Sequence, residues 1–222
     1  MKKKILAIVA HADDEAIGCG GTLAKHQQQG DSITIIYMTD GVSSRGSCVE
    51  EIANRRVMAK QVGKYLNAKQ NQFDFSDNQM DQTPLLKIIQ SIECVIEETV
   101  PDIIYTHHFS DLNVDHRIVH QAVMTAFRPI PNRKVPTIYS FEVNSSTEWN
   151  TPNSANSFIP NCFVDISAQI ENKIELLKYY QTEMPAFPHT RSIESITALA
   201  TVRGCSVGVK YAEAFMLMRE LK

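Results

Sequence analysis

Short apolar runs and longer stretches with helical spacing alternate along this chain. Ile5-Leu6-Ala7-Ile8-Val9-Ala10 contains no polar position, which predicts a strand covered on both faces of a parallel sheet. Further strands are predicted over 32–38, 72–75, 102–105, 138–143 and 163–166. Helices are predicted over 50–66, 84–98, 115–127, 168–180 and 192–202. Gly18, Gly20 and Gly21 read as a glycine-rich turn entering a first helix that ends by Gly30. The apolar stretch 211–218 fits a strand or a helix. Regular alternation of strand and helix argues for right-handed βαβ units and a mostly parallel sheet, an α/β fold. Two loops interrupt it: a polar one over 145–161, long enough for a lid, and a proline-bearing one over 182–190. No repeat, low-complexity tract or linker divides the chain, so 1–222 is expected to be a single α/β domain.

Composition narrows this only a little. Apolar residues are 43% and charged residues 21%, ordinary values for a soluble protein. A formal net charge of −3 supplies no basic field, which leaves nucleic-acid binding without support. Met1-Lys2-Lys3-Lys4 imitates a signal peptide, but the apolar run behind it is short and ends on His11 and acids. No window reaches the length of a membrane span. Five scattered cysteines without a CxxC fit reduced thiols in a cytoplasmic protein and no structural zinc site. A homo-oligomer is only the base-rate expectation.

The candidate chemistry lies just past two strands. His11-Ala12-Asp13-Asp14-Glu15 follows the first, and His107-His108-Phe109-Ser110-Asp111-Leu112-Asn113-Val114-Asp115-His116 follows the fourth. Ligands in open α/β sheets bind past the carboxyl ends of strands, so both clusters belong to one edge. The first stretch alone fits a helix cap at Asp13 or Asp14 as well as a metal site. The second tips the balance, because two His and one Asp make a common catalytic zinc set with an open position. His11, Asp14 and His116 would supply it, and Asp13 would accept a proton from water. The competing reading makes Asp115 a cap and His116 a surface residue. No GxGxxG phosphate fingerprint occurs, and His26 reads as a solvated residue.

His11-Ala12-Asp13-Asp14-Glu15 resembles the AHPDDE motif of the PIG-L/LmbE-like zinc de-N-acetylases, and Asn113-Val114-Asp115-His116 resembles their (H/N)xDH motif. Phe141-Glu142-Val143, Ser146-Thr147-Glu148-Trp149, Arg191-Ser192, Arg203-Gly204 and Ala212-Glu213-Ala214-Phe215 look like a bacterial branch of that family. The resemblance implies a Rossmann-like three-layer sandwich. It implies one Zn2+ on His11, Asp14 and His116, with Asp13 as general base, Asp115 orienting a neighbour and Arg56 touching substrate. The implied substrate is a small N-acetyl sugar of N-acetylglucosamine type, free, nucleotide-linked or lipid-linked. Ala12 replaces the usual proline, and Asn113 stands where several members carry a proposed acid. Either Asp13 returns its proton or His108, His120 or His189 serves. No acid follows Arg56, where Val57 and Met58 stand. Glu15, Ser43, Ser44, Arg45, Glu142, Trp149 and Arg191 remain candidates for orienting a ligand or touching substrate. Arg45 would suit a phosphate, and Trp149 a sugar face or a mere loop anchor. Rivals are a metal-dependent phosphoesterase, with Asp40 and Asp111 as spare ligands, and a non-catalytic sugar- or metal-binding protein. The donor set also admits iron or another divalent ion.

Overall fold

The computed structural model describes residues 2–46 and 49–222; Met1, Ser47, Cys48 and the side chain of Arg45 lie outside the described residues. Strands β1 (Lys4–Val9), β2 (Ser32–Thr39), β3 (Lys69–Phe75), β4 (Ile103–His107), β5 (Thr137–Phe141), β6 (Cys162–Asp165) and β7 (Ala212–Arg219) form one sheet. Its order is β3-β2-β1-β4-β5-β7-β6. Strands β1 to β5 run parallel, and β7 pairs antiparallel with both β5 and β6. The ambiguous stretch 211–218 is therefore a strand.

Helices α1 (Asp14–Gln28), α2 (Val49–Tyr65), α3 (Leu85–Thr99), α4 (Val114–Ala126), α5 (Ile170–Tyr179) and α6 (Ile193–Cys205) cover the sheet on both faces. Side chains of β1 alternate between the faces, as strand geometry requires. Ile5, Ala7 and Val9 pack with α1, α2 and α5, whereas Leu6, Ile8 and Ala10 pack with α3 and α4. Double coverage explains why the run from Ile5 to Ala10 has no polar position. The result is a Rossmann-like three-layer sandwich with a mostly parallel sheet. Chain order reverses between β1 and β4, so the crevice of such a sheet opens at their carboxyl ends.

The glycine-rich stretch is not a turn before α1 but part of it. The helix begins at Asp14 and breaks at Cys19, which adopts φ −145°. A Cβ on Gly18 would lie 2.2 Å from the Phe141 ring, and one on Gly21 would lie 2.8 Å from Ile166. Absence of a side chain, not turn geometry, is what the fold uses here. Glu213, from β7, accepts the freed N–H groups of Gly21 and Thr22 at 2.9 and 2.7 Å. Lys173 of α5 pairs with Glu213 and donates to the carbonyl of Ile17 at 2.6 Å. A buried ion pair thus closes both sides of the break.

The structure also corrects the reading of His26 as solvated. Its Nδ1 lies 2.7 Å from Asp31 Oδ2, its Nε2 lies 3.0 Å from the Tyr105 hydroxyl, and the ring is buried. Tyr105 is on β4, far along the chain, which no local pattern announces.

Candidate active site

The loop between β1 and α1 and the first turn of α4 meet at the predicted crevice. His11 Nδ1 lies 3.2 Å from Asp14 Oδ2 and 3.2 Å from His116 Nε2, and His116 Nε2 lies 3.3 Å from Asp14 Oδ2. These three atoms make a near-equilateral triangle. A tetrahedral site with ligand bonds of about 2.0–2.1 Å has edges of about 3.3–3.4 Å, so the donor set fits a zinc-sized ion. His11 Nε2 faces Asp77 at 3.0 Å and Asp115 at 3.2 Å, so a neutral imidazole would carry its proton there and keep the lone pair of Nδ1 for an ion. His116 Nδ1 lies 3.3 Å from Asp111 Oδ1, with the same consequence for Nε2.

Charge tells the same story. Burial would lower the His116 imidazole, but Asp14 and Asp111 outweigh it and hold it at about 9. His11 is likewise held up against its burial by Asp115, Asp14 and Asp77. A cluster that draws protons onto two buried imidazoles is built to hold positive charge.

Asp13 caps this arrangement in a strained conformation. Its φ is 139°, and three of the six non-glycine residues with positive φ among those described, Asp13, Asn78 and Ser145, line the same cavity. Glu15 holds the Asp13 backbone. One Glu15 oxygen accepts the Asp13 N–H at 3.1 Å, and the other accepts the Tyr37 and Tyr180 hydroxyls at 3.0 and 2.6 Å. Burial pushes the Glu15 carboxyl up to about 7. Asp13 Oδ2 sits 3.3 Å from Arg55 and 3.4 Å from Arg191, while Oδ1 is buried without a partner. Burial pushes the Asp13 carboxyl up, against the pull of Arg191 and Arg55.

Arg55, not Arg56, is therefore the arginine that α2 brings to the site. Adjacent helical residues point about 100° apart, and Arg56 turns outward to Asp74. Arg55 also donates to the Ala12 carbonyl at 2.6 Å and pairs with Glu183 at 2.6 Å. Asn113 lines the cavity and caps α4, accepting the Asp115 N–H at 2.8 Å. Asp115 accepts the N–H groups of Asn78 and Met80 at 2.7 and 3.1 Å. Asp111, read as a spare ligand, accepts hydroxyls from Ser146 and Thr147, and Asp40 accepts the N–H groups of Val42 and Ser43. Glu142 is tied to Arg203 at 2.8 and 2.7 Å and does not line the cavity. Arg191 does line it, with Nε buried and unpartnered. Trp149 is 51% exposed and meets His189 edge to face. The side chain of Arg45 lies outside the described residues.

Sequence reasoning missed Asp77 and Asn78, and it quoted His107 in the second cluster without giving it a role. Asp77 and Asn78 follow β3 at the same carboxyl edge, so the rule that found the two clusters would have reached them. His107 is fully buried, stacks on His116 with centroids 3.9 Å apart, and accepts the Ala10 N–H at 2.9 Å.

Residues 6–127, which carry every member of the triangle, match the family model described as PIG-L, GlcNAc-PI de-N-acetylase. The chain belongs to the PIG-L family. It is 32% identical over 173 residues to the Uncharacterized deacetylase YaiS of Escherichia coli (strain K12), covering 76% of this chain and 84% of that one. The Diacetylchitobiose deacetylase of Thermococcus kodakarensis is 24% identical over 229 residues, covering 95% of this chain and 81% of that protein. A solved structure of N,N'-diacetylchitobiose deacetylase from Pyrococcus horikoshii, complexed with its inhibitor MPG, shares the fold. The TM-score is 0.78 at 21% identity, over 97% of this chain and 84% of the other. This PIG-L member is an N-deacetylase, a hydrolase of amide bonds. No helix among the described residues is long and apolar enough to cross a membrane.

Proposed function

We propose that this PIG-L protein is a zinc-dependent hydrolase that removes the N-acetyl group from a sugar of N-acetylglucosamine type, releasing acetate and an amino sugar. The observation that carries the reading is the triangle of His11, Asp14 and His116 with the unpartnered Asp13 Oδ1 at the same cavity. The family description and the chitobiose deacetylase relative support an N-acetyl sugar as substrate.

His11 offers Nδ1, His116 offers Nε2 and Asp14 offers a carboxylate oxygen. Zinc held there would lower the pKa of water towards about 7 and polarise the acyl oxygen. Asp13 accepts the proton of the attacking water on Oδ1, while Arg55 and Arg191 hold Oδ2. The departing nitrogen then needs a proton. His108 Nε2 is engaged by the Asn156 carbonyl, His120 Nδ1 by the His107 carbonyl, and His189 Nδ1 accepts the Arg191 N–H. None of the three lines the cavity, and the Asn113 amide has no acidic proton to give. Asp13 therefore returns the proton, a role that burial favours by raising its pKa. Water adds across the amide, and acetate and amine leave.

The phosphoesterase rival usually needs more carboxylates and often a second ion. The second donor group, His11, Asp77 and Asp115, uses the other nitrogen of the same imidazole. A hydrogen bond from that N–H accounts for both carboxylates without one. A merely binding protein has no use for the unligated Asp13. Acetate release from N-acetylglucosamine derivatives by zinc-loaded and chelated protein tests the reading. Zinc-dependent release is expected; phosphate release instead, or release that persists after chelation, would refute it.

A further inference from the structure

The two oxygens of Asp13 are treated differently by their surroundings. Oδ2 faces Arg55 Nη1 at 3.3 Å and Arg191 Nη1 at 3.4 Å, while Oδ1 is buried without a partner. Oδ1 is the oxygen that takes the proton in the reaction proposed above. A guanidinium beside a carboxylate tends to close on both oxygens at once, because its planar fork matches them with two parallel N–H bonds. Arg55 does not close in this way. Its Nη1 is shared between Asp13 and the Ala12 carbonyl, the latter at 2.6 Å, and its Nη2 is drawn off to Glu183 Oε1, also at 2.6 Å.

Glu183 comes from a part of the chain remote from both. It ends the short turn Gln181–Glu183 that follows α5. The Arg55 and Glu183 side chains meet largely out of water, where breaking such a pair leaves a guanidinium N–H unsatisfied. The segment beyond Glu183 returns to the same carboxylate at Arg191. Its backbone is fixed there: Asn144 Nδ2 donates to the Thr190 carbonyl at 3.0 Å, His189 Nδ1 accepts the Arg191 N–H at 3.1 Å, and Ser192 caps α6. Residues 183–191 are thus tied at both ends to Asp13, through Arg55 at one end and by Arg191 itself at the other.

We infer that Glu183 is a positioning residue for the proton-accepting step: by holding Arg55 Nη2 it stops Arg55 from closing on both oxygens of Asp13, and so keeps Oδ1 open to water. This rests on Asp13 being the base in the function proposed above. Without Glu183, Nη2 is a buried donor beside a carboxylate that Nη1 already meets, and rotation of the fork onto Oδ1 satisfies it. A glutamine at 183 still offers Oε1 to Nη2, so the fork stays divided.

The kinetic test uses the zinc-loaded full chain and whichever of N-acetylglucosamine, N,N'-diacetylchitobiose and UDP-N-acetylglucosamine the wild type hydrolyses fastest. Glu183→Ala should lower kcat about 10–100-fold, the scale of a misplaced base, with zinc content unchanged. KM should stay within about twofold. Glu183→Gln should recover most of the loss. Because Glu183 acts through Asp13, adding Glu183→Ala to Asp13→Asn should lower kcat no further. If alanine prevents folding, Glu183→Met removes the acceptor while keeping the volume, and the same results are expected of it. A loss in KM rather than kcat, no rescue by glutamine, or an additive effect on the Asp13→Asn background overturns the inference. The crystal structure of Glu183→Ala decides it without substrate. Arg55 closed on both oxygens of Asp13 upholds it; Oδ1 still unpartnered overturns it. If the wild type releases acetate from none of the compounds, the function reading fails, and that structure alone decides the inference.

Discussion

Helix α1 has a buried histidine site at each end, and the two are opposites. At the amino edge of the sheet, both nitrogens of His26 are taken, by Asp31 and by Tyr105, and Asp31 also accepts the Lys3 N–H. Burial lowers the His26 pKa despite Asp31. At the carboxyl edge, His11 and His116 are pushed the other way by carboxylates, and Asp13 Oδ1, Asp14 Oδ1 and His107 Nδ1 are buried without hydrogen-bond partners. Burial alone does not separate a structural histidine from a functional one. The carboxylates around it do: they hold His11 and His116 up against their burial, whereas Asp31 does not do so for His26.

The contrast can be broken from the active end first. Asp13→Asn keeps the shape and removes the base, so turnover should fall at least about 100-fold while bound zinc is unchanged. Near-normal turnover would remove Asp13 from the chemistry. Asp111→Asn comes next. It weakens the partner of His116 Nδ1 and should loosen zinc about 10–100-fold in a chelator competition. An unchanged affinity would make Asp111 only a tether for Ser146 and Thr147.

The inert end gives the smallest effect and the cleanest sign. The folded His26 pKa lies below the unfolded value, so the unfolded chain binds more protons between them. Stability from neutral His26 is present above the unfolded value and is lost as pH falls through the folded one. The difference in urea midpoint between wild type and His26→Gln should therefore shrink from pH 7.5 to lower pH. A constant difference would mean that His26 does not titrate on unfolding.

Much of this was legible beforehand, for a physical reason. A strand buried on both faces carries few charged residues, so the end of an apolar run marks the sheet edge; His11 lies just past one such end, and His116 lies in the first turn of the helix that follows another. What stayed hidden depends on partners distant in sequence. Gly18 looks like a turn residue until Phe141 is seen against it. Arg56 and Arg55 differ by one step of helix rotation, which sequence alone does not phase when α2 has so few buried positions. Glu142 sits in a motif-like stretch, yet its partner is Arg203, on α6.

X-ray absorption at the zinc edge, run beside metal analysis of the loaded chain, reads the donor set most directly. One zinc per chain is expected, with nitrogen and oxygen neighbours at about 2.0–2.1 Å, imidazole scattering and no sulfur at about 2.3 Å. In His116→Ala that signature should be lost. A sulfur neighbour, or zinc content and scattering unchanged in His116→Ala, would contradict the triangle of His11, Asp14 and His116.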